Sequence, residues 1–171
     1  VPAGSIAVPP LKENPAEVDL QEKQQLLAEI ERSARIEGIK STRANYIERF
    51  EEVHFEDSSG NESSFAISRS GFSILAVAGR GGDMQMGYVR RHVLQDFNLR
   101  HRQEEGREAA ARAIALLDAR TPRGGTMNAV LDPELAGVFA HEAVGHASEG
   151  DLVQEGSSVL GGRIGERIGS P

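Results

Sequence analysis

The sequence predicts an α+β fold, in which an antiparallel sheet packs with two helices and is followed by a helix that carries an HExxxH motif. Two segments, 20–36 and about 103–118, repeat apolar residues at the spacing of one helix face. Between them lie runs rich in β-branched and aromatic residues, separated by turn sequences without an intervening helix. Such runs pair with their neighbours as hairpins, and the sheet is therefore predicted to be antiparallel.

The composition narrows the class of protein. With 171 residues, 39% of them hydrophobic, the chain is long enough to bury a core in one domain or in two small ones. Its net charge of −7 argues against nucleic acid and anionic membranes as partners, because the long-range field repels both. No apolar run approaches the roughly 18 residues of a membrane span, and we expect a soluble protein. The absence of cysteine excludes thiolate ligands from this chain and favours the cytoplasm.

We predict three regions along the chain: an irregular lead-in at 1–18, an α+β domain at 19–130, and the metal-motif helix with a Gly-rich segment at 131–171. The last region is expected to begin a C-terminal domain that is mostly absent. Asp19, followed three residues later by Glu22, resembles a capping box and places the start of the first helix. Gly38 is expected to end that helix.

The strands are predicted from alternating or continuous apolar runs between clusters of Gly, Ser, Asn and Asp. We place strands at 44–57, 62–70, 71–79 and 84–91, with turns at 57–61, 68–71 and 79–83. Consecutive strands joined by short turns form a meander. A further short strand is predicted at 127–131, just before the last helix.

The last helix contains the residues with the clearest chemical potential. Asp132 as N-cap and Pro133 at the first helical position mark its start, and it runs directly into His141. His141 and His146 are five residues apart, and at about 100° per residue they diverge by about 140° on a regular helix. The pair could share a metal ion only if the helix widened by one π-type turn, or broke before His146 near Gly145.

Two neutral imidazoles are suitable ligands for Zn²⁺, and Glu142 directly follows the first of them. From there Glu142 could accept a proton from an attacking water molecule and pass it to a leaving amine, which is the chemistry of amide hydrolysis. The alternative is an ordinary helix surface, because five histidines in a chain of this length also produce accidental pairs.

Residues 141–168, HEAVGHASEGDLVQEGSSVLGGRIGERI, closely resemble the signature of the TldD branch of the TldD/PmbA family of zinc metallopeptidases. The five-residue histidine spacing is shared, and so are an EGD-like stretch at 149–151 and a GSSV-like stretch at 156–159. The resemblance extends more loosely back to about residue 18. It implies that His141 and His146 are metal ligands, and that Glu142 is the catalytic base.

The resemblance also implies Zn²⁺ as cofactor, short or unfolded peptides as substrates, a PmbA-like paralogue or self-association as partner, and a cytoplasmic location. The family's third zinc ligand is a cysteine of a C-terminal domain, and this chain has no cysteine. We therefore expect an internal fragment or a truncated relative with an incomplete site. Several carboxylates could complete a site of two histidines, and the spacing selects none of them: Glu149, Asp151, Glu155 and Glu166.

For Glu149 and Asp151 we favour another role, which is to orient His141 or His146 from beside the metal. The alternative to an enzyme is a non-catalytic interaction module, or an inactive truncated relative that binds a partner chain. The lack of a third ligand within the chain favours this alternative for the isolated molecule.

Three other features are interpreted as structural. The basic segment 88–102 is expected to be a solvated connection between sheet and helix that offsets the acidic residues after it, and not a phosphate-binding surface. His54 is expected on the sheet surface, and the glycines at 79–82 in a hairpin turn. The Gly-rich stretch 157–169 is predicted as a strand, which either captures an extended peptide or pairs with a missing domain.

Overall fold

A computed structural model describes residues 7–169, and these divide into two compact units between Thr121 and Pro122. Residues 1–6 of the predicted lead-in lie outside the described residues, as do 170 and 171. The first unit contains five main elements: α1 (Leu20–Ser33), β1 (Ile39–Glu56), β2 (Glu62–Arg80), β3 (Asp83–Leu94) and α2 (Gln103–Leu117). The second contains α3 (Pro133–Ala140), a π-helical turn (His141–Gly145), a 3₁₀ turn (His146–Ser148) and α4 (Gly150–Gln154). The predicted α+β class is confirmed.

The three strands form an antiparallel meander in the order β1-β2-β3. Phe72 in the central strand pairs with Tyr46 on one side and with Arg91 on the other. The first hairpin closes through the backbone N–H of Asp57, which donates to the carbonyl of Asn61 at 3.0 Å. The second turns at Gly81 and Gly82, whose φ angles of 59° and 98° favour glycine. The predicted turns at 57–61 and 79–83 are therefore confirmed.

The predicted turn at 68–71 is wrong, because β2 continues through it and merges two predicted strands into one. Its polar residues serve packing instead. The buried Ser70 hydroxyl donates to the carbonyl of Asp96 at 2.8 Å. A Cβ on Gly71 would lie 2.3 Å from Nδ1 of His92, so the glycine makes room for that ring. Ser70 therefore bonds a residue distant in sequence, and Gly71 leaves space for another. The chain does not reverse direction at either residue.

Other boundaries differ in smaller ways. Helix α1 ends at Ser33, before the predicted residue 36, and Gly38 follows with φ of 90°. The carboxylate of Asp19 accepts from the backbone N–H of Gln21 at 2.7 Å, which confirms it as the N-cap. The strand predicted at 127–131 is wrong, because these residues form irregular, exposed chain. A strand requires a neighbouring strand for its backbone hydrogen bonds, and the described residues of the second unit include none.

The core lies between one face of the sheet and the two helices. Alternate residues of β2 point into it and are almost fully buried: Phe72, Ile74, Ala76 and Ala78. The helices and the residue that caps the end of α1 contribute mostly small residues: Ile30, Ala34, Ala109, Ala110 and Ala113. Because alanine side chains are short, the backbone of α2 approaches its neighbours closely.

Two glycines mark the closest of these approaches. A Cβ on Gly87 of β3 would lie 1.9 Å from the carbonyl oxygen of Ala109 in α2. A Cβ on Gly106 of α2 would lie 2.3 Å from the carbonyl oxygen of Ile30 in α1. Protein Cβ atoms do not approach other heavy atoms so closely, and both positions therefore require glycine for packing.

A partly buried ion pair joins α1 to the sheet. Lys23 is 7% exposed, and its Nζ lies 2.8 Å from the carboxylate of Glu48. The hydroxyl of Tyr46 donates to the same carboxylate at 3.0 Å. Burial, together with this hydrogen bond to Glu48, raises the pKa of Tyr46 well above its usual range.

The basic segment 88–102 makes ion pairs with carboxylates of the same unit. Arg91 lies 3.7 Å from Glu105 at the start of α2. Arg100 makes contacts of 2.7 Å with both Glu13 and Glu22. Glu13 precedes α1, and Glu22 lies in its first turn. These arginines connect elements of the fold, which agrees with the prediction that segment 88–102 is a structural connection.

His54 lies on the sheet surface, as predicted, with a side chain that is 71% exposed. Its ring nitrogens lie 3.1 Å from Glu52 and 3.0 Å from the hydroxyl of Ser64.

Within residues 7–169, no helix has the length and apolar character that a membrane crossing demands.

Candidate metal centre

Helix α3 positions the candidate site, and local chemistry fixes its start. The carboxylate of Asp132 accepts from the backbone N–H of Leu135 at 2.8 Å, while Pro133 occupies the first helical position. Both predictions about this N-terminus are confirmed. The helix then passes without a break into the π-helical turn His141–Gly145.

The π-helical turn is the first of the two arrangements that the histidine spacing allowed. The backbone N–H of His146 donates to the carbonyl of His141, five residues earlier, where an α-helix would use the fourth. Gly145 has helical φ and ψ angles of −57° and −60°, which any L-residue adopts. The chain therefore widens near Gly145 and does not break there.

The widened turn brings the two imidazole rings together. The ring centres of His141 and His146 are 4.5 Å apart and meet edge to face at 70°. One oxygen of Glu142 lies 3.7 Å from Nε2 of His146. Taking one ligand atom from each residue, the donors of His141, Glu142 and His146 all lie within 4.8 Å of one another.

The other ring nitrogen of His146 has its own partner. Nδ1 lies 2.9 Å from a carboxylate oxygen of Glu149. The sequence predicted the same orienting role for Asp151. The carboxylate of Asp151 instead accepts from the backbone N–H of Leu152 at 2.8 Å. The structure thus separates two carboxylates that the spacing alone could not.

The segment after the motif folds back onto it. The Ser158 hydroxyl donates to the carbonyl of Ala147 and accepts from the backbone N–H of Leu160 at 3.0 Å. The Ser148 hydroxyl donates to the carbonyl of Val144 at 2.8 Å. Sequence reasoning missed both serines. For Ser148 a signal exists, because serine in helical segments commonly bonds the carbonyl four residues earlier.

The strand predicted at 157–169 is wrong, because these residues form consecutive turns. Glu166 pairs with Arg163 at 2.8 Å. Within residues 7–169, the group of candidate ligands that the structure assembles contains none of the four carboxylates considered as third ligands: Glu149, Asp151, Glu155 and Glu166.

The two imidazoles suit zinc, and the carboxylate of Glu142 lies beside them. On a tetrahedral Zn²⁺ ion with bonds of about 2.0–2.1 Å, two ligand atoms lie about 3.4 Å apart. The two imidazole donors of this site lie within 4.8 Å of each other, a separation compatible with binding one ion. The His146 side chain is 47% exposed, so a metal ion can reach its ring.

Similarity to known proteins covers both units. Residues 13–117 match the central domain of the PmbA/TldA metallopeptidases, and residues 124–171 match their C-terminal domain. The chain is 36% identical over 159 residues to a metalloprotease of Methanothermobacter thermautotrophicus, across 91% of this chain and 35% of that protein. It is 32% identical over 143 residues to a zinc metalloprotease TldD homologue of Saccharolobus solfataricus, across 77% of this chain and 30% of that protein.

Solved structures share the fold at lower identity. A proposed modulator of DNA gyrase from Bacteroides thetaiotaomicron superposes with a TM-score of 0.79 at 20% identity, over 96% of this chain and 38% of its own. A second such protein, from Thermotoga maritima, gives 0.71 at 19% identity, over 97% of this chain and 39% of its own. The chain thus spans about a third of the length of these relatives. The resemblance seen in residues 141–168 is confirmed, and the chain belongs to the PmbA/TldD family of metallopeptidases.

Proposed function

We propose that this chain supplies the zinc ligands and the catalytic base of a TldD-like metallopeptidase, which hydrolyses peptide bonds in short or unfolded peptides. One observation carries the proposal: the π-helical turn gathers a ring nitrogen of His141, a ring nitrogen of His146 and a carboxylate oxygen of Glu142 within 4.8 Å of one another. Membership of a metallopeptidase family supports the reaction class. The name of the Saccharolobus relative supports zinc as the metal.

His141 and His146 would hold the ion through their ring nitrogens. When bound, Zn²⁺ supplies a Lewis acid that polarises the scissile carbonyl and lowers the pKa of a nearby water molecule. The side chains of this chain supply the proton transfers and the orientation of the groups around the reaction.

Glu142 is the base in this proposal. Its carboxylate lies 3.7 Å from Nε2 of His146, and one of its oxygens lies within 4.8 Å of a ring nitrogen of each histidine. From that position it would accept a proton from the attacking water and deliver it to the amine that leaves. Its side chain is 64% exposed, so a peptide can reach it.

A third protein ligand and a partner chain complete the proposal. The family resemblance supports a cysteine from a further domain as third ligand, and a PmbA-like paralogue or a second copy as partner. It also supports a cytoplasmic location. The relatives are about three times as long as this chain, and most of each relative lies outside the matched region.

Zinc content tests the proposal directly. The purified chain, dialysed against dilute Zn²⁺ and analysed by mass spectrometry, is expected to hold one zinc ion. His141→Ala and His146→Ala are expected to lose it, whereas Glu142→Gln retains it, because the amide replaces a base that does not bind the ion. Absence of zinc from the unsubstituted chain, both alone and joined to a domain that supplies a third ligand, would refute the metal site.

Peptide cleavage separates an enzyme from an interaction module. The zinc-loaded chain is incubated with an unstructured fluorogenic peptide, and Glu142→Gln serves as the matched control. Cleavage that Glu142→Gln abolishes supports the enzyme. A chain that holds zinc and cleaves no peptide would favour the interaction module, and equal cleavage by both would remove Glu142 from the mechanism.

A further inference from the structure

The carboxylate of Glu149 meets His146 on the ring nitrogen that faces away from Glu142. Its oxygen lies 2.9 Å from Nδ1, whereas the oxygen of Glu142 lies 3.7 Å from Nε2. We propose that Glu149 is a positioning residue, which holds His146 in the tautomer with the proton on Nδ1 and thereby leaves Nε2 free to bind the metal. This inference rests on the proposed function.

The tautomer follows from the chemistry of the two partners. An ionised carboxylate only accepts hydrogen bonds, so Nδ1 of His146 must donate across the 2.9 Å contact. A neutral imidazole carries one proton, and Nε2 then holds a lone pair. Nε2 is also the nitrogen nearer to Glu142. The lone pair and Glu142 therefore lie on the same side of the ring, opposite Glu149.

The backbone around Glu149 leaves its carboxylate available for this contact. Glu149 ends the 3₁₀ turn and precedes α4 in an extended conformation, with φ of −65° and ψ of 132°. Its side chain makes no capping hydrogen bond to α4. Replacing the side chain therefore removes the contact to His146 without removing a helix cap.

The contact also bears on the first histidine. The His141 ring packs edge to face against His146, with ring centres 4.5 Å apart. A fixed His146 ring therefore limits the orientations open to His141. Carboxylates that orient metal-binding histidines in this way typically change metal affinity by about 10–100-fold when removed.

The test compares three variants of the chain by two measurements. Two-bond ¹H–¹⁵N correlation spectra of the metal-free protein, at a pH where histidine rings are neutral, report the tautomer of each ring. Chelator competition reports the affinity for Zn²⁺. Glu149→Ala is expected to give His146 a mixture of tautomers and to weaken Zn²⁺ binding by about 10–100-fold.

Two other substitutions provide the controls. Glu149→Gln keeps an acceptor oxygen and is expected to retain the Nδ1–H tautomer and most of the affinity. Asp151→Ala removes a neighbouring carboxylate that does not contact His146, and both measurements are expected to match the unsubstituted chain. Circular dichroism verifies that each variant is folded.

The outcomes distinguish this inference from the proposed function. If the unsubstituted chain binds Zn²⁺ and Glu149→Ala changes neither tautomer nor affinity, the positioning role is wrong while the metal site stands. If Asp151→Ala weakens binding as much as Glu149→Ala does, general negative charge explains the effect and the positioning role is again wrong. If the unsubstituted chain binds no Zn²⁺ even when joined to a domain that supplies a third ligand, the proposed function fails, and the positioning role fails with it.

Discussion

The substitution Gly87→Ala tests how the first unit is packed. Gly87 lies in β3 directly beneath α2, and a Cβ there would lie 1.9 Å from the carbonyl oxygen of Ala109 and 2.6 Å from the backbone nitrogen of Ala113. Both are backbone atoms, so no side-chain rotation relieves the clash. The helix must move away from the sheet.

The geometry sets the size of the effect. An ordinary contact between Cβ and a backbone atom is about 3.4 Å or longer, so α2 must withdraw by about 1.5 Å near Ala109. That movement loosens the contacts of fully buried residues on both sides, including Ala113 and Val89. Overpacking a core typically costs about 1–3 kcal/mol, and a clash with two backbone atoms belongs at the upper end. We expect the free energy of unfolding to fall by about 3 kcal/mol.

Urea unfolding followed by circular dichroism measures this change, and Gly79→Ala provides the matched control. Gly79 also lies in the sheet, but the nearest atom to its added Cβ, at 3.0 Å, belongs to the flexible side chain of Lys40. The control is expected to stay within about 0.5 kcal/mol of the unsubstituted chain. A Gly87→Ala variant as stable as the Gly79→Ala variant would show that α2 does not rest on β3 in this way.

Three further predictions concern other parts of the chain. Because the pKa of Tyr46 is raised, the unfolded chain loses a phenolic proton above pH 10 that the folded chain keeps. The free energy of unfolding should therefore fall as the pH rises above 10. Urea midpoints of the Tyr46→Phe variant should fall less steeply over the same pH range. Gly145→Ala should leave Zn²⁺ affinity unchanged, since the added Cβ would lie 3.6 Å from Nδ1 of His141, an ordinary contact; lost binding would mean that the turn needs glycine. Ser158→Ala removes two hydrogen bonds worth about 1 kcal/mol each. The amide hydrogen of Leu160 should therefore exchange with deuterium at least roughly tenfold faster. An unchanged exchange rate would contradict the hydrogen bond between Ser158 and Leu160.

Features that depend on a few neighbouring residues were predictable from the sequence. Asp19 and Asp132 cap their helices as predicted, because a capping carboxylate bonds a backbone N–H only two or three residues away. The turn at 57–61 follows equally from local chemistry. The convergence of the two histidines could be narrowed to two backbone arrangements, since the angle between positions five apart is a property of the helix itself.

Features that depend on distant residues were not predictable in this way. Ser70 and Gly71 have the composition of a turn, but Ser70 bonds Asp96 and Gly71 makes room for His92, both more than 20 residues away in sequence. For a related reason, the sequence could not show which of Glu149 and Asp151 contacts His146. Both carboxylates follow His146 closely, and only the backbone conformation after the 3₁₀ turn decides which one reaches the ring.

The π-helical turn performs one specific task, which follows from comparing it with a regular helix. On a regular helix Glu142 and His146, four residues apart, already share a face, whereas His141 points about 140° away from His146. The widened turn keeps Glu142 within 3.7 Å of His146 and adds His141 to the same face. The extra residue therefore recruits the second imidazole. Straightening this turn should weaken Zn²⁺ binding as much as His141→Ala does, while the contact between His146 and Glu149 persists.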